Sequence, residues 1–173
     1  MALLINQNLI QLDLDVETKE DAIEQMSKLV LSENRLNTYE SCAFLLEERS
    51  AQCNETKDQC YNTFLNNVLE REALSTTGIG FGIAIPHGKC CAVSEPTVVF
   101  ARLKKPLDWQ SLDGDPVEAV FLLAVPKAAA SNEHLRILAA LSRKLMHDDF
   151  KETLRTAQDK TKLESFLTEA LTA

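Results

Sequence analysis

The sequence predicts an α/β fold, a mixed parallel and antiparallel β-sheet flanked by helices on both faces. Three observations carry this expectation. Segments with apolar residues at helical spacing are interleaved with short apolar runs rich in Val and Phe. Two of those runs, "TVVFARL" (97–103) and "EAVFLLAV" (118–125), are nearly continuous, as in strands covered on both faces. The short "LDGDP" between them supplies a turn at 113–115, which makes at least one strand pair antiparallel.

Taken in order, "LIQLDLD" (9–15) alternates apolar and polar side chains and suits a half-buried strand. Thr18 then caps a helix, with Asp21 three residues on and Ala22, Ile23, Met26, Leu29 and Val30 forming its buried stripe. A second helix is expected over about 39–49, followed by a solvated stretch, "SAQCNETKDQC". A third resumes near Lys57, with Tyr61, Phe64, Leu65, Val68 and Leu69 facing the core, and runs out at "LEREALSTTGIG". After the two apolar strands, Ser131 is expected to cap a helix whose Leu135, Ile137, Leu138, Leu141 and Leu145 point inward. Helical segments near 149–157 and 160–172 follow, the last capped by Asp159.

With 173 residues, 45% of them hydrophobic, the chain can bury one core, so a single domain over 1–173 is expected. A formal charge of −8 disfavours nucleic acid and anionic membrane surfaces as partners. No run reaches the roughly 18 apolar residues of a membrane span, and the N-terminus lacks a basic region and a cleavage site, so no membrane insertion and a cytoplasmic location are expected. Five cysteines (Cys42, Cys53, Cys60, Cys90 and Cys91) form an odd set without framework spacing and read as reduced thiols.

The chemistry concentrates in "GIGFGIAIPHGK" (78–89). His87 lies between Pro86 and Gly88, and its imidazole, with an ordinary pKa near 6.5, is a neutral nucleophile at pH 7. The alternative is a histidine that merely fills a turn after "IAI". His134, in "SNEHL", falls in the first turn of a helix, where free amides and the positive dipole end favour anions; it also reads as a surface helix residue. Arg71 closes the third helix just before the glycine loop. Its guanidinium either grips phosphate oxygens or complements the helix dipole. His147 receives no role. "HGKCC" is not a common zinc pattern and "DGDPVE" lacks the ligands of a calcium loop, so no metal and no cofactor are expected. "GIGFG" is followed by a strand-like run, not by a helix, so it is not a dinucleotide fingerprint.

The stretches "LEREALSTTGIGFGIAIPHGK", "LDWQSLDGDPVEAVFLLAVP" and "NEHLRILAALSRKLMHDDFKETL" resemble the IIA component of the fructose/mannitol class of the bacterial phosphoenolpyruvate-dependent sugar phosphotransferase system, at lower specificity over nearly the full length. The resemblance implies a phosphotransferase component with a phosphohistidine intermediate. His87 would accept the phosphoryl group from the carrier protein HPr and pass it to a cysteine of a IIB domain, with His134 and Arg71 assisting. It also leaves open a regulatory, nitrogen-related IIA protein that acts through phosphorylation-dependent protein binding. Two departures stand out: Phe81 where the family commonly has a polar residue, and a longer connection around "RSAQCNETKDQCYN".

Overall fold

The computed structural model describes residues 3–37, 57–127 and 130–172. The helix expected over about 39–49, most of the "SAQCNETKDQC" stretch, and Cys42 and Cys53 lie outside these residues.

Strand β1 (Ile10–Leu14) follows a short 3-10 turn. Helix α1 (Lys19–Ser32) starts where its cap predicts, the Asp21 amide donating to Thr18 Oγ1 at 3.1 Å, and it buries Ala22, Ile23, Met26 and Val30. In helix α2 (Lys57–Leu74) Phe64 and Val68 are fully buried, while Tyr61, Leu65 and Leu69 pack half-buried against the same core. Three short strands come next: β2 (Gly78–Gly80), β3 (Ile83–Ala84) and β4 (His87–Cys90). The long strands β5 (Thr97–Leu107) and β6 (Val117–Pro126) then lead to α3 (Ala130–Lys144), α4 (Asp148–Thr156) and α5 (Lys160–Thr172).

The sheet is mixed, in the order β1-β5-β6-β3-β2, with β4 also on β6. β5 and β6 run antiparallel, from the pair Thr97–Ala124 to the pair Leu107–Val117. β1 is parallel to β5. The other edge of β6 is shared end to end by β3 and β4, both parallel to it. Between those two strands Pro86 has no N–H to leave unpaired, and its carbonyl accepts from the Leu123 amide at 3.0 Å. The backbone therefore stays on β6 while it changes strand, and His87 emerges at the start of a sheet-edge strand. Val98–Ala101 and Val120–Ala124 are completely buried, so the sheet is covered on both faces as their apolar runs predict.

Two expectations at α3 need correction. Its helical backbone already includes Ala130, because alanine is the best helix former, so Ser131 lies inside the helix and does not cap it. His134 consequently sits one turn in from the first described residue of the helix. Leu135 is 64% exposed; the inward stripe is Ile137, Ala140 and Leu141, with Leu138 half-buried against the same core and Leu145 just past the helix end. Asp159 does cap α5, its Oδ1 accepting from the amides of Thr161 at 2.9 Å and Lys162 at 3.3 Å. Among the described residues no helix is long and apolar enough to cross a membrane.

Candidate functional site

His87 is half-buried at the head of β4. Its Nδ1 lies 3.0 Å from the Ile85 carbonyl oxygen, which can only accept, so the neutral ring carries its proton on Nδ1. The lone pair is left on Nε2. The ring's height over α2 is set by Gly88: a Cβ there would lie 2.7 Å from Val68 Cγ2 and 3.0 Å from Phe64 Cε1. Both neighbours are fully buried and have nowhere to retreat. The glycine after the histidine is thus a requirement for space. Gly88→Ala is expected to destabilise the fold by about 1–3 kcal/mol through overpacking, read from the denaturant midpoint; an unchanged midpoint would mean that α2 is not seated as tightly as drawn. The adjoining Lys89 amide is held by Asn67 Oδ1 at 3.0 Å, a second tie between strand and helix.

The structure brings the three residues singled out in the sequence to one place. His87 and His134 have ring centroids 4.7 Å apart at an interplanar angle of 47°. Together with Asn67, Glu70, Arg71, Leu74 and Lys89 they line one open cleft of about 400 Å³. His134 Nε2 is buried and has no hydrogen-bond partner among the described residues. Arg71 shows both of its readings at once. Nη1 donates to the Ser75 carbonyl at 2.9 Å and to Ser75 Oγ at 3.3 Å, just past the end of α2. Its Nε and Nη2 have no hydrogen-bond partner among the described residues, so half of the guanidinium fork stays open to an anion.

Electrostatics keep both imidazoles neutral. Burial lowers the His87 pKa from its ordinary value and the Arg71 charge adds to this, while the Ile85 carbonyl and Glu72 pull the other way. His134 is lowered as well, by burial first, then by the neighbouring His87 ring, since the two imidazoles disfavour being protonated together, and by the charges of Lys89 and Arg71. The cleft therefore offers an unprotonated nucleophile among fixed cations, the combination that favours an incoming anion.

A buried polar network centred on the residue after Arg71, Glu72, fixes the end of α2, and the sequence alone does not show it. Glu72, 5% exposed, accepts from the Thr77 amide at 3.2 Å and from the Thr77 hydroxyl, and pairs with Lys19 Nζ at 3.5 Å. The fully buried Trp109 donates Nε1–H to Thr77 Oγ1 at 3.3 Å. The end of α2 is thereby joined to α1 and to the loop after β5. Lys89 also went unassigned, although it stands two residues from His87 in the sequence. Cys60, Cys90 and Cys91 carry no disulfide, and among the described residues no group of three His, Cys, Asp or Glu side chains could hold a metal ion.

Comparison with known proteins gives this geometry its context. The family model for the phosphoenolpyruvate-dependent sugar phosphotransferase system, EIIA 2, matches residues 3–170. The fructose-specific EIIA component of the phosphotransferase system of Haloferax volcanii is 39% identical over 163 residues, covering 94% of this chain and 91% of its own. A nitrogen regulatory protein of Bradyrhizobium diazoefficiens is 39% identical over 122 residues, 70% of this chain and 79% of its own. Among solved structures, the nitrogen regulatory protein IIA-Ntr of Neisseria meningitidis superposes with a TM-score of 0.74 at 28% identity, covering 95% of this chain and 96% of its own. With a family model spanning nearly all of it, the chain belongs to the EIIA 2 family of the phosphoenolpyruvate-dependent sugar phosphotransferase system.

Proposed function

We propose that residues 1–173 form one IIA domain that acts in the cytoplasm as a phosphoryl carrier, accepting phosphate from phosphohistidine on HPr and passing it to a cysteine of a IIB domain for uptake of a fructose- or mannitol-like sugar. The observation that carries this reading is the neutral Nε2 of His87 beside the unpartnered His134 Nε2 and the half-open Arg71 fork.

In the first step the Nε2 lone pair attacks phosphorus as the P–N bond to the donor imidazole breaks, and that imidazole keeps the bonding pair. Arg71 and His134 meet the equatorial oxygens, where charge collects. Nδ1–H stays on the Ile85 carbonyl throughout, which fixes the ring and stabilises positive charge on the phosphorylated imidazole. In the second step a thiolate attacks phosphorus, the P–N bond breaks, and imidazole leaves as the neutral base.

The test is uptake of acid-labile phosphate from phosphoenolpyruvate in the presence of enzyme I and HPr, followed by transfer to a fructose-type IIB domain. No uptake would defeat the carrier reading. The nitrogen regulatory relatives supply a second one: uptake without transfer to IIB, together with phosphorylation-dependent capture of another protein, would mark a regulator. The fructose-specific relative matches over the larger share of the chain, which favours transport.

The lowered pKa of His87 has a measurable sign. A depressed value means that the non-nucleophilic imidazolium appears only at lower pH, so acceptor capacity holds as pH falls to 6.5 and is lost below it. The His87 Cε1–H resonance is expected to titrate with a midpoint below 6.5. A midpoint above that value would contradict the drawn burial.

A further inference from the structure

We propose that a second pocket, sharing no lining residue with the His87 cleft, binds a small anion with a flat apolar body. The pocket holds about 260 Å³, just under the roughly 300–1,000 Å³ of drug-sized ligand sites. Its buried floor includes Ile83, Leu103 and Leu154, and one edge is Phe81.

Phe81 is the first sign of purpose. It sits at the tip of the β2–β3 hairpin with φ +60°, between Gly80 at +103° and Gly82 at +75°. A left-handed conformation is uncommon for a bulky side chain and strains the backbone, and such strain concentrates where a side chain is held for use. Asparagine would fit this turn with less strain. The ring is 52% exposed, so core burial does not account for it. The backbone is fixed by the Phe81 amide donating to Asp113 Oδ2 at 3.1 Å, and Lys151 Nζ stands 4.6 Å from the ring centroid.

Arg102 is the second. Its Nε donates to the Leu12 carbonyl at 3.2 Å and its Nη1 to those of Leu154 and Ala157 at 3.2 and 2.7 Å. Among the described residues it has no carboxylate within ion-pairing distance and no partner for Nη2. A half-buried guanidinium is thus locked beside the apolar floor with its charge uncompensated. The neighbouring cations Lys104 and Arg155 are paired with Asp15 at 3.7 Å and Glu118 at 3.3 Å, exposed contacts that yield to a competing anion at little cost. Apolar floor, exposed ring and fixed cation together define a ligand with a planar hydrocarbon body and one carboxylate or phosphate.

The experiment titrates the full chain with 1-naphthyl phosphate, 2-naphthoate and neutral 2-naphthol, followed by probe fluorescence anisotropy. One of the two anions is expected to bind at least about tenfold more tightly than the naphthol, as loss of a charge-assisted hydrogen bond implies; which anion does so identifies the acid group. Phe81→Asn is expected to weaken that binding about threefold to tenfold with an unfolding midpoint no lower than that of the parent chain, which keeps the test independent of folding. His87→Ala is expected to leave it unchanged. Equal binding of naphthol, equal binding by Phe81→Asn, competition by inorganic phosphate alone at the same affinity, or loss of binding in His87→Ala would each overturn the proposal.

Discussion

His87→Ala is expected to take up no acid-labile phosphate from phospho-HPr, a loss of roughly 10⁶-fold, as when a covalent nucleophile is removed elsewhere. No other imidazole at the site can substitute. Burial and the positive charges of Lys89 and Arg71 lower the basicity of the His134 ring, which weakens it as a nucleophile. Folding should survive. The side chain is half-buried and its Nδ1 bond to Ile85 spans two residues, so removing it costs about 1 kcal/mol. Intact-mass analysis after incubation with the donor system, beside a thermal melt, separates the two effects. A folded His87→Ala chain that still carries one labile phosphate would transfer the acceptor role to another residue and undo the assignment.

The dependence on one nitrogen explains which parts of the site could be read from the sequence. His87, His134 and Arg71 stand near punctuation that sequence shows well: a Pro-His-Gly triplet, the beginning of a strongly periodic helix, and the last turn of another. Their meeting was implied by family resemblance, because residues 71, 87 and 134 converge only through the order in which β3, β4 and β6 pair. β5 and β6 were legible since complete burial leaves a continuous apolar run. β2 and β4 were not, having three and four residues and glycines that show no periodicity. Glu72, Thr77 and Trp109 stayed hidden for a different reason: a buried carboxylate looks like any helix-end acid until the tryptophan from a distant loop closes over it. At Leu135 the apolar side chain alone misleads. Leu135 and Ile137, two residues apart, lie about 200° apart around the helix and cannot both face inward; Ile137 is the buried one.

His134→Ala is expected to slow phosphoryl acceptance by about 10²–10³-fold, the loss seen when one preorganised donor to a developing oxyanion is removed. The unpartnered Nε2 makes this a clean case. A buried nitrogen that already lacks a hydrogen bond gives the resting fold nothing polar to lose, so the variant's unfolding free energy should stay within about 1 kcal/mol of the parent. A rate defect without a stability defect is what a group reserved for the phosphoryl oxygens would produce, and a purely structural histidine would produce the reverse. His134→Gln, which restores an N–H donor, should recover part of the rate. Titration supplies a readout that packing cannot imitate. The His134 pKa is lowered by burial and then by the surrounding positive charges; a phosphoryl dianion on a ring whose centroid is 4.7 Å away adds charge of the opposite sign and must raise it. The His134 Cε1–H midpoint should therefore move upward when His87 is phosphorylated. If it stays where it was, the two rings do not share the phosphoryl group, and the assisting role assigned to His134 is wrong whatever the mutant rate shows.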